Sequence, residues 1–149
     1  MLLKKISFLF LILTIAWMGC IFYFSSQDGD ESSQDSMDVG LLVARIVVSD
    51  FDQWSEDEQI AFAQKIDHPI RKMAHALEYA VLGFLVYMTY KDWKVALLVC
   101  ILYACSDEFH QLFVKGRSGQ ISDVILDSCG AFVCILCVKL LGKRIEVFK

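Results

Sequence analysis

Proline is nearly absent from this chain, with one in 149 residues. That excludes a Pro-rich linker or a collagen-like repeat. Charge is also scarce, at 21% of residues, and a net charge of −4 offers no basic footprint for nucleic acid. What fills the chain instead is apolar. The apolar fraction is 56% without glycine, and the mean hydropathy is +0.51. A soluble domain has about 45–50% with glycine counted. The length suggests one domain, and one soluble core does not need several long uncharged runs.

Four such runs are present. Ile6–Phe24 carries no charge. Met73–Tyr90 is apolar apart from His75, Glu78 and a few hydroxyls. Val95–Cys105 is uncharged, and Val124–Leu141 is interrupted only by Asp127 and Lys139. A membrane-spanning helix needs roughly 20 such residues. The pattern predicts an all-α, polytopic membrane protein. Its four transmembrane helices fall near 6–24, 71–90, 95–114 and 122–141, and an outer loop covers 25–70. A soluble four-helix bundle would need polar outer faces, which these segments lack. Lys4 and Lys5 before the first run resemble the start of a signal peptide. The run is longer than such peptides use, and Ile21–Phe24 follows the Gly19-Cys20 pair, so an uncleaved first span is expected.

Lysine and arginine set the orientation. Lys4 and Lys5 precede span 1, Lys91 and Lys94 fill the turn between spans 2 and 3, and Lys143, Arg144 and Lys149 follow span 4. These segments are expected in the cytoplasm, with both termini. The 26–70 segment is acidic and is expected outside. Within it, Val39, Leu42, Val43, Ile46 and Val47 repeat at helical spacing, as Ile60, Phe62, Ala63 and Ile66 do more weakly. Two short amphipathic helices over the outer membrane surface are expected. Ser55 with Glu58 fits a capping box for the second. Asp67, His68 and Pro69 read as the start of span 2, with Pro69 in its first turn.

All six cysteines fall inside the spans, where they behave as small apolar residues. Cys134 and Cys137 form a C-x-x-C without the strand–helix context of a redox motif and without a second pair for zinc.

Ionisable residues inside spans mark a functional site or an internal pair. Span 2 carries Arg71, Lys72, His75 and Glu78 in its first turns. Span 3 ends with Ser106, Asp107, Glu108, His110 and Gln111. Span 4 begins with Asp123 and Asp127, and Arg117 lies in the link before it. In the expected topology these clusters share one depth near the outer leaflet, joined by Ser25–Gln27 at the end of span 1. One outward-opening polar cavity is expected. Its lining is His75, Glu78, Asp107, Glu108, His110, Arg117, Asp123 and Asp127, with Arg71 at the rim. The plainer alternative is a set of structural salt bridges, such as Arg71 with Glu78 or Arg117 with Asp123.

The order R-K-x-x-H-x-x-E-Y at Arg71–Tyr79, S-D-E-x-H-Q at Ser106–Gln111 and G-R-x-x-x-x-x-D-V-x-x-D-x-x-G at Gly116–Gly130 resembles the VanZ-like membrane family. The S-S-Q at Ser25–Gln27 also fits, and the resemblance runs from about Ile6 to Leu141. The family's namesake is an accessory protein for resistance to teicoplanin. The resemblance thus implies a bacterial cytoplasmic-membrane protein tied to glycopeptide resistance or envelope maintenance, and supplies no reaction.

His75, Glu78, Asp107, Glu108, His110, Asp123 and Asp127 are candidate catalytic groups or ligands for a divalent metal. Arg71, Lys72 and Arg117 are suitable donors to a phosphate, with Gln111 beside them. Two functions follow. One is a binding protein that modulates a lipoglycopeptide or lipid-linked envelope precursor at the outer face. The other is an enzyme, metal-dependent in one version, acting on a phosphorylated envelope lipid. A transporter is disfavoured, because no charged path reaches the cytoplasmic side.

Overall fold

The computed structural model describes the backbone of residues 2–147 and the side chains of residues 5–142. Lys4, Lys143, Arg144 and Lys149, which help set the expected orientation, have side chains outside that range. Among the described residues the fold is all-α, with helices α1 (Leu2–Ser25), α2 (Gly29–Val47), α3 (Glu56–Tyr90), α4 (Trp93–Gln111) and α5 (Ile121–Val147).

Helices α1 and α5 are long and apolar enough to cross a membrane, over Lys5–Ser25 and Ile121–Gly142. The other two expected spans coincide with the second half of α3 and with α4. They stand lower on this measure for a physical reason. Each carries part of the polar cluster: His75 and Glu78 in α3, Asp107 and Glu108 in α4. Large apolar side chains point outward on every helix of the bundle, among them Phe8, Leu77, Leu102 and Val133.

Helix α3 is central, and α1, α2, α4 and α5 all pack on it. The core is built from Ile21 of α1, Tyr79, Leu82 and Val86 of α3, Cys100 of α4 and Ile135 of α5. Ala96, Ala104 and Ala131 fill the gaps between them. Small residues let backbones approach closely, which is how helices pack where lipid is as apolar as leucine. At Gly130 an added Cβ would stand 2.3 Å from the Ala76 carbonyl oxygen, and at Gly83 it would stand 3.0 Å from that of Ala131.

Two expectations about the 25–70 segment change. The helix at Val39–Val47 begins ten residues earlier, at Gly29, where the Asp28 side chain accepts the Asp30 and Glu31 amides. Its inner face is Ser32, Ser36, Gly40 and Ala44, while Leu42, Ile46 and Val47 stay exposed. The second correction concerns Pro69, which lies inside α3 rather than in its first turn. An interior proline loses one helix hydrogen bond and crowds the preceding turn, at about 3 kcal/mol. Two features oppose that cost. Ser55 and Glu58 form the expected capping box at the true start, and Ser55 holds the Glu58 carboxylate below its usual pKa by hydrogen bonding. Ile66 and Ile70, on either side of Pro69, both pack where Gly40 of α2 leaves room. At 35 residues, α3 is about 52 Å long at 1.5 Å per residue. Phe51, Trp54 and Phe62 pack ring against ring at the corner between α2 and α3.

The α3–α5 contact yields a direct test. Gly130→Ala should destabilise the protein by about 1–3 kcal/mol, because overpacking must move one backbone. Gly142→Ala, with nothing within 4 Å, should be neutral or slightly stabilising. Thermal unfolding in detergent compares them, and equal behaviour would contradict the close approach.

Candidate functional site

The end of α4, the link to α5 and the end of α1 are built around one tight crossing. Gly116 adopts φ = +73°, a left-handed conformation that glycine tolerates. Its carbonyl lies where a Cβ on Gly29 would come within 2.5 Å. The Gly29 amide donates to the Lys115 carbonyl at 2.9 Å. A Cβ on Gly119 would likewise meet the Glu108 carbonyl at 2.3 Å. The glycines of the G-R-x-x segment are thus needed for backbone approach.

That crossing aims Arg117 at the C-terminal end of α1. Its guanidinium donates to the Phe24 carbonyl at 3.1 Å and to the Gln27 carbonyl at 3.3 Å. A cation is favourable there, where helix carbonyls lack partners. Burial lowers the Arg117 pKa from its ordinary value, and the nearby Arg71 charge lowers it further. Among the described residues Arg117 makes no ion pair.

On α3, neighbouring cations take different partners. Arg71 donates to Asp67 one turn earlier, at 2.7 Å. The other oxygen of Asp67 accepts from Ser36, which ties α2 to the same pair. The Arg71 Nε is buried without a hydrogen-bond partner. Lys72 pairs with Asp123 at the start of α5. On α4, Glu108 accepts the Gln120 amide at 2.7 Å, and Gln111 donates to Ser25 Oγ at 3.1 Å. Ser25–Gln27, Arg71–Glu78, Asp107–Gln111 and Arg117–Asp123 therefore lie in one polar layer whose hydrogen bonds and ion pairs fall into separate sets.

Two adjoining cavities open in this layer rather than one. The first, about 190 Å³, lies between α1, α2 and α3, with walls that include Phe24, Val39, Ile70, Ala74 and Glu78. The second, about 90 Å³, lies toward α4 and α5, with walls that include His68, Lys72, Glu108, Gln111 and Asp123. Arg71, His75 and Arg117 line both.

Three of the expected lining residues lie elsewhere. Asp107 and Asp127 are 3% and 1% exposed and line neither cavity. Each leaves one carboxylate oxygen without a hydrogen-bond partner, as does the Tyr79 hydroxyl. His110 turns toward α1, with Nε2 3.2 Å from Ser26 Oγ and its ring 4.7 Å from that of Phe22. A three-residue step leaves a side chain about 60° off its neighbour's direction. In a narrow bundle that separates His110 from Asp107. His75 Nδ1 lies 3.3 Å from Glu78 Oε2. Among the described residues, no three His, Cys, Asp or Glu side chains group closely enough to hold a metal ion.

Sequence reasoning missed several members. Asp67 was read as a helix start, although its i, i+4 spacing to Arg71 is the signal of a helix pair. Ser36 and the Gly29–Gly116 contact carry no local signal. Trp17 donates to the Glu78 carbonyl at 2.9 Å and Tyr103 to the Met18 carbonyl at 2.6 Å, so α1 is hydrogen-bonded into the bundle.

The Lys72–Asp123 pair should be energetically coupled, because both side chains are largely shielded from water. A double-mutant cycle with Lys72→Met and Asp123→Asn is expected to give a coupling of about 1 kcal/mol. Additive losses would show that the pair does not lock α3 to α5.

No curated protein and no solved structure matches the chain. A family model described as VanZ/LLP1 matches residues 10–142, which span all five helices and both cavities. The chain belongs to the VanZ/LLP1 family.

Proposed function

We propose that this is a four-span protein of a bacterial cytoplasmic membrane, with both termini inside, that acts as a binding protein at the outer face. There it changes what a lipid-anchored antibiotic or envelope precursor can reach. The second half of α3 and α4 complete the bundle with α1 and α5, and Lys91 and Lys94 mark the cytoplasmic turn. The observation that carries the reading is the polar layer around the two cavities, which share Arg71, His75 and Arg117. Its hydrogen bonds and ion pairs join Ser25 to Gln111, Lys72 to Asp123, and Arg117 to the end of α1. Polar groups are costly in an apolar bundle. Gathering them beside two cavities at one end supports a site for a polar headgroup.

The family name brings teicoplanin into the proposal. Teicoplanin carries an acyl chain that holds it at the outer leaflet, and vancomycin carries none. A protein acting at that leaflet favours the lipid-bearing drug. A second reading, an enzyme acting on a phosphorylated envelope lipid, draws on Arg71, Lys72 and Arg117 around the second cavity, with His75 as a candidate acid or base.

Expression in a susceptible Gram-positive host should raise tolerance to teicoplanin more than to vancomycin. Arg71→Ala or Glu78→Ala should abolish the gain while the protein stays in the membrane. Equal shifts for both drugs would contradict the reading and point to the shared peptidoglycan target.

A further inference from the structure

The two cavities differ in character, and this difference names a ligand class. The first has apolar walls in Phe24, Val39, Ile70 and Ala74; its carboxylates, Asp35 and Glu78, face Gln27 and His75, and Arg71 and Arg117 border it as they do the second. In the second, the carboxylates are already engaged: Asp123 with Lys72, and Glu108 with the Gln120 amide. Cationic donors remain there. Arg71 has a buried Nε without a partner, and Arg117 has no carboxylate among the described residues. A guanidinium has five N–H donors in a fork that matches phosphate oxygens. Arg117 spends two of its donors on the Phe24 and Gln27 carbonyls and Arg71 spends one on Asp67. The second cavity has room for several water-sized groups, as a phosphoryl group requires.

We propose that the paired cavities bind one phosphate-bearing amphiphile, its phosphate in the second cavity against Arg71 and Arg117 and its apolar chain in the first cavity between α1, α2 and α3. Arg71 and Arg117 border both cavities, so what orients the ligand is Lys72, which lines only the second, and the apolar wall, which belongs only to the first. Asp67 holds both Ser36 of α2 and Arg71, so the wall of the chain compartment is tied to the group that takes the phosphate. This inference rests on the outer-face binding reading above and deepens it.

The test uses the full chain purified in a nonionic detergent, with thermal unfolding as the readout. Three probes separate a lipid phosphate from a free one: dioctanoyl phosphatidic acid, dioctanoylglycerol and inorganic phosphate. Phosphatidic acid should raise the unfolding midpoint saturably, inorganic phosphate only weakly, and dioctanoylglycerol not at all. Arg71→Gln and Arg117→Gln should each weaken the phosphatidic acid response about tenfold, as loss of a charge-assisted hydrogen bond does. Ala74→Phe, which fills the first cavity, should weaken the response to phosphatidic acid and leave that to inorganic phosphate unchanged. Arg117 also secures α1, so the ligand-free midpoint of each variant is measured first, and Arg71→Gln carries the test if Arg117→Gln does not fold. Equal responses to phosphatidic acid and dioctanoylglycerol would overturn the proposal, as would equal responses to phosphatidic acid and inorganic phosphate. Unchanged binding in Arg71→Gln would overturn it as well. If this binding fails while the teicoplanin effect persists, the proposed function stands and the ligand class falls. If the binding holds without a drug effect, the reverse applies.

Discussion

Arg117 holds the end of α1 to the link between α4 and α5, and much of the site depends on that connection. Its hydrogen bonds to the Phe24 carbonyl in the last turn of α1 and to the Gln27 carbonyl just beyond the helix tie the link to that end. The same link presents Gly116 to Gly29, which fixes where α2 begins. The guanidinium and this backbone contact together tie the end of α1 and the start of α2 to the link that leads into α5. With those ends tied, Ser25 meets Gln111 and Lys72 meets Asp123. Buried polar groups without partners cost free energy, so a slip of one helix along another would break several of these bonds together.

Close backbone packing supplies the second constraint. At Gly130 the α3 and α5 backbones come nearer than a side chain allows, and at Gly83 a Cβ would fit only tightly, 3.0 Å from the Ala131 carbonyl oxygen. In a bilayer, dispersion between such closely packed surfaces takes the part that the hydrophobic effect plays in water. The same contact fixes the rotation of α3. Arg71 and Lys72 are about 100° apart around the helix, so Arg71 turns to Asp67 while Lys72 reaches Asp123 of α5. The site is therefore positioned by residues with no chemistry of their own.

The parts legible in the sequence were those with a local or periodic signal. The apolar runs correspond to α1, the second half of α3, α4 and α5, and the Ser55–Glu58 box marks the start of α3. The motif residues Arg71, His75, Glu108, Gln111, Arg117 and Asp123 were singled out from their chemistry, and all line a cavity. What failed needed three-dimensional partners. Pro69 was read as a boundary because the packing of Ile66 and Ile70 on α2 is not visible locally. The pairs named in the plainer salt-bridge alternative, Arg71 with Glu78 and Arg117 with Asp123, are not the ones that form: the helix rotations select Asp67 for Arg71 and Lys72 for Asp123. His110 shared a motif with Glu108 and Gln111, yet it faces Phe22 and Ser26. His110 was singled out from its chemistry like the others, and its rotation on α4 turns it to α1 instead of to the cavities.

The central claim is that the polar layer faces the outside of the cell. Ser118 borders the second cavity in the link after α4, and Lys94 lies at the opposite end of that helix. In a background with the six native cysteines replaced, a single cysteine is introduced at either position and whole cells are treated with a membrane-impermeant thiol reagent. The account predicts labelling of Ser118→Cys in intact cells and of Lys94→Cys only after permeabilisation. Labelling of Lys94→Cys in intact cells, with Ser118→Cys protected until permeabilisation, would contradict it.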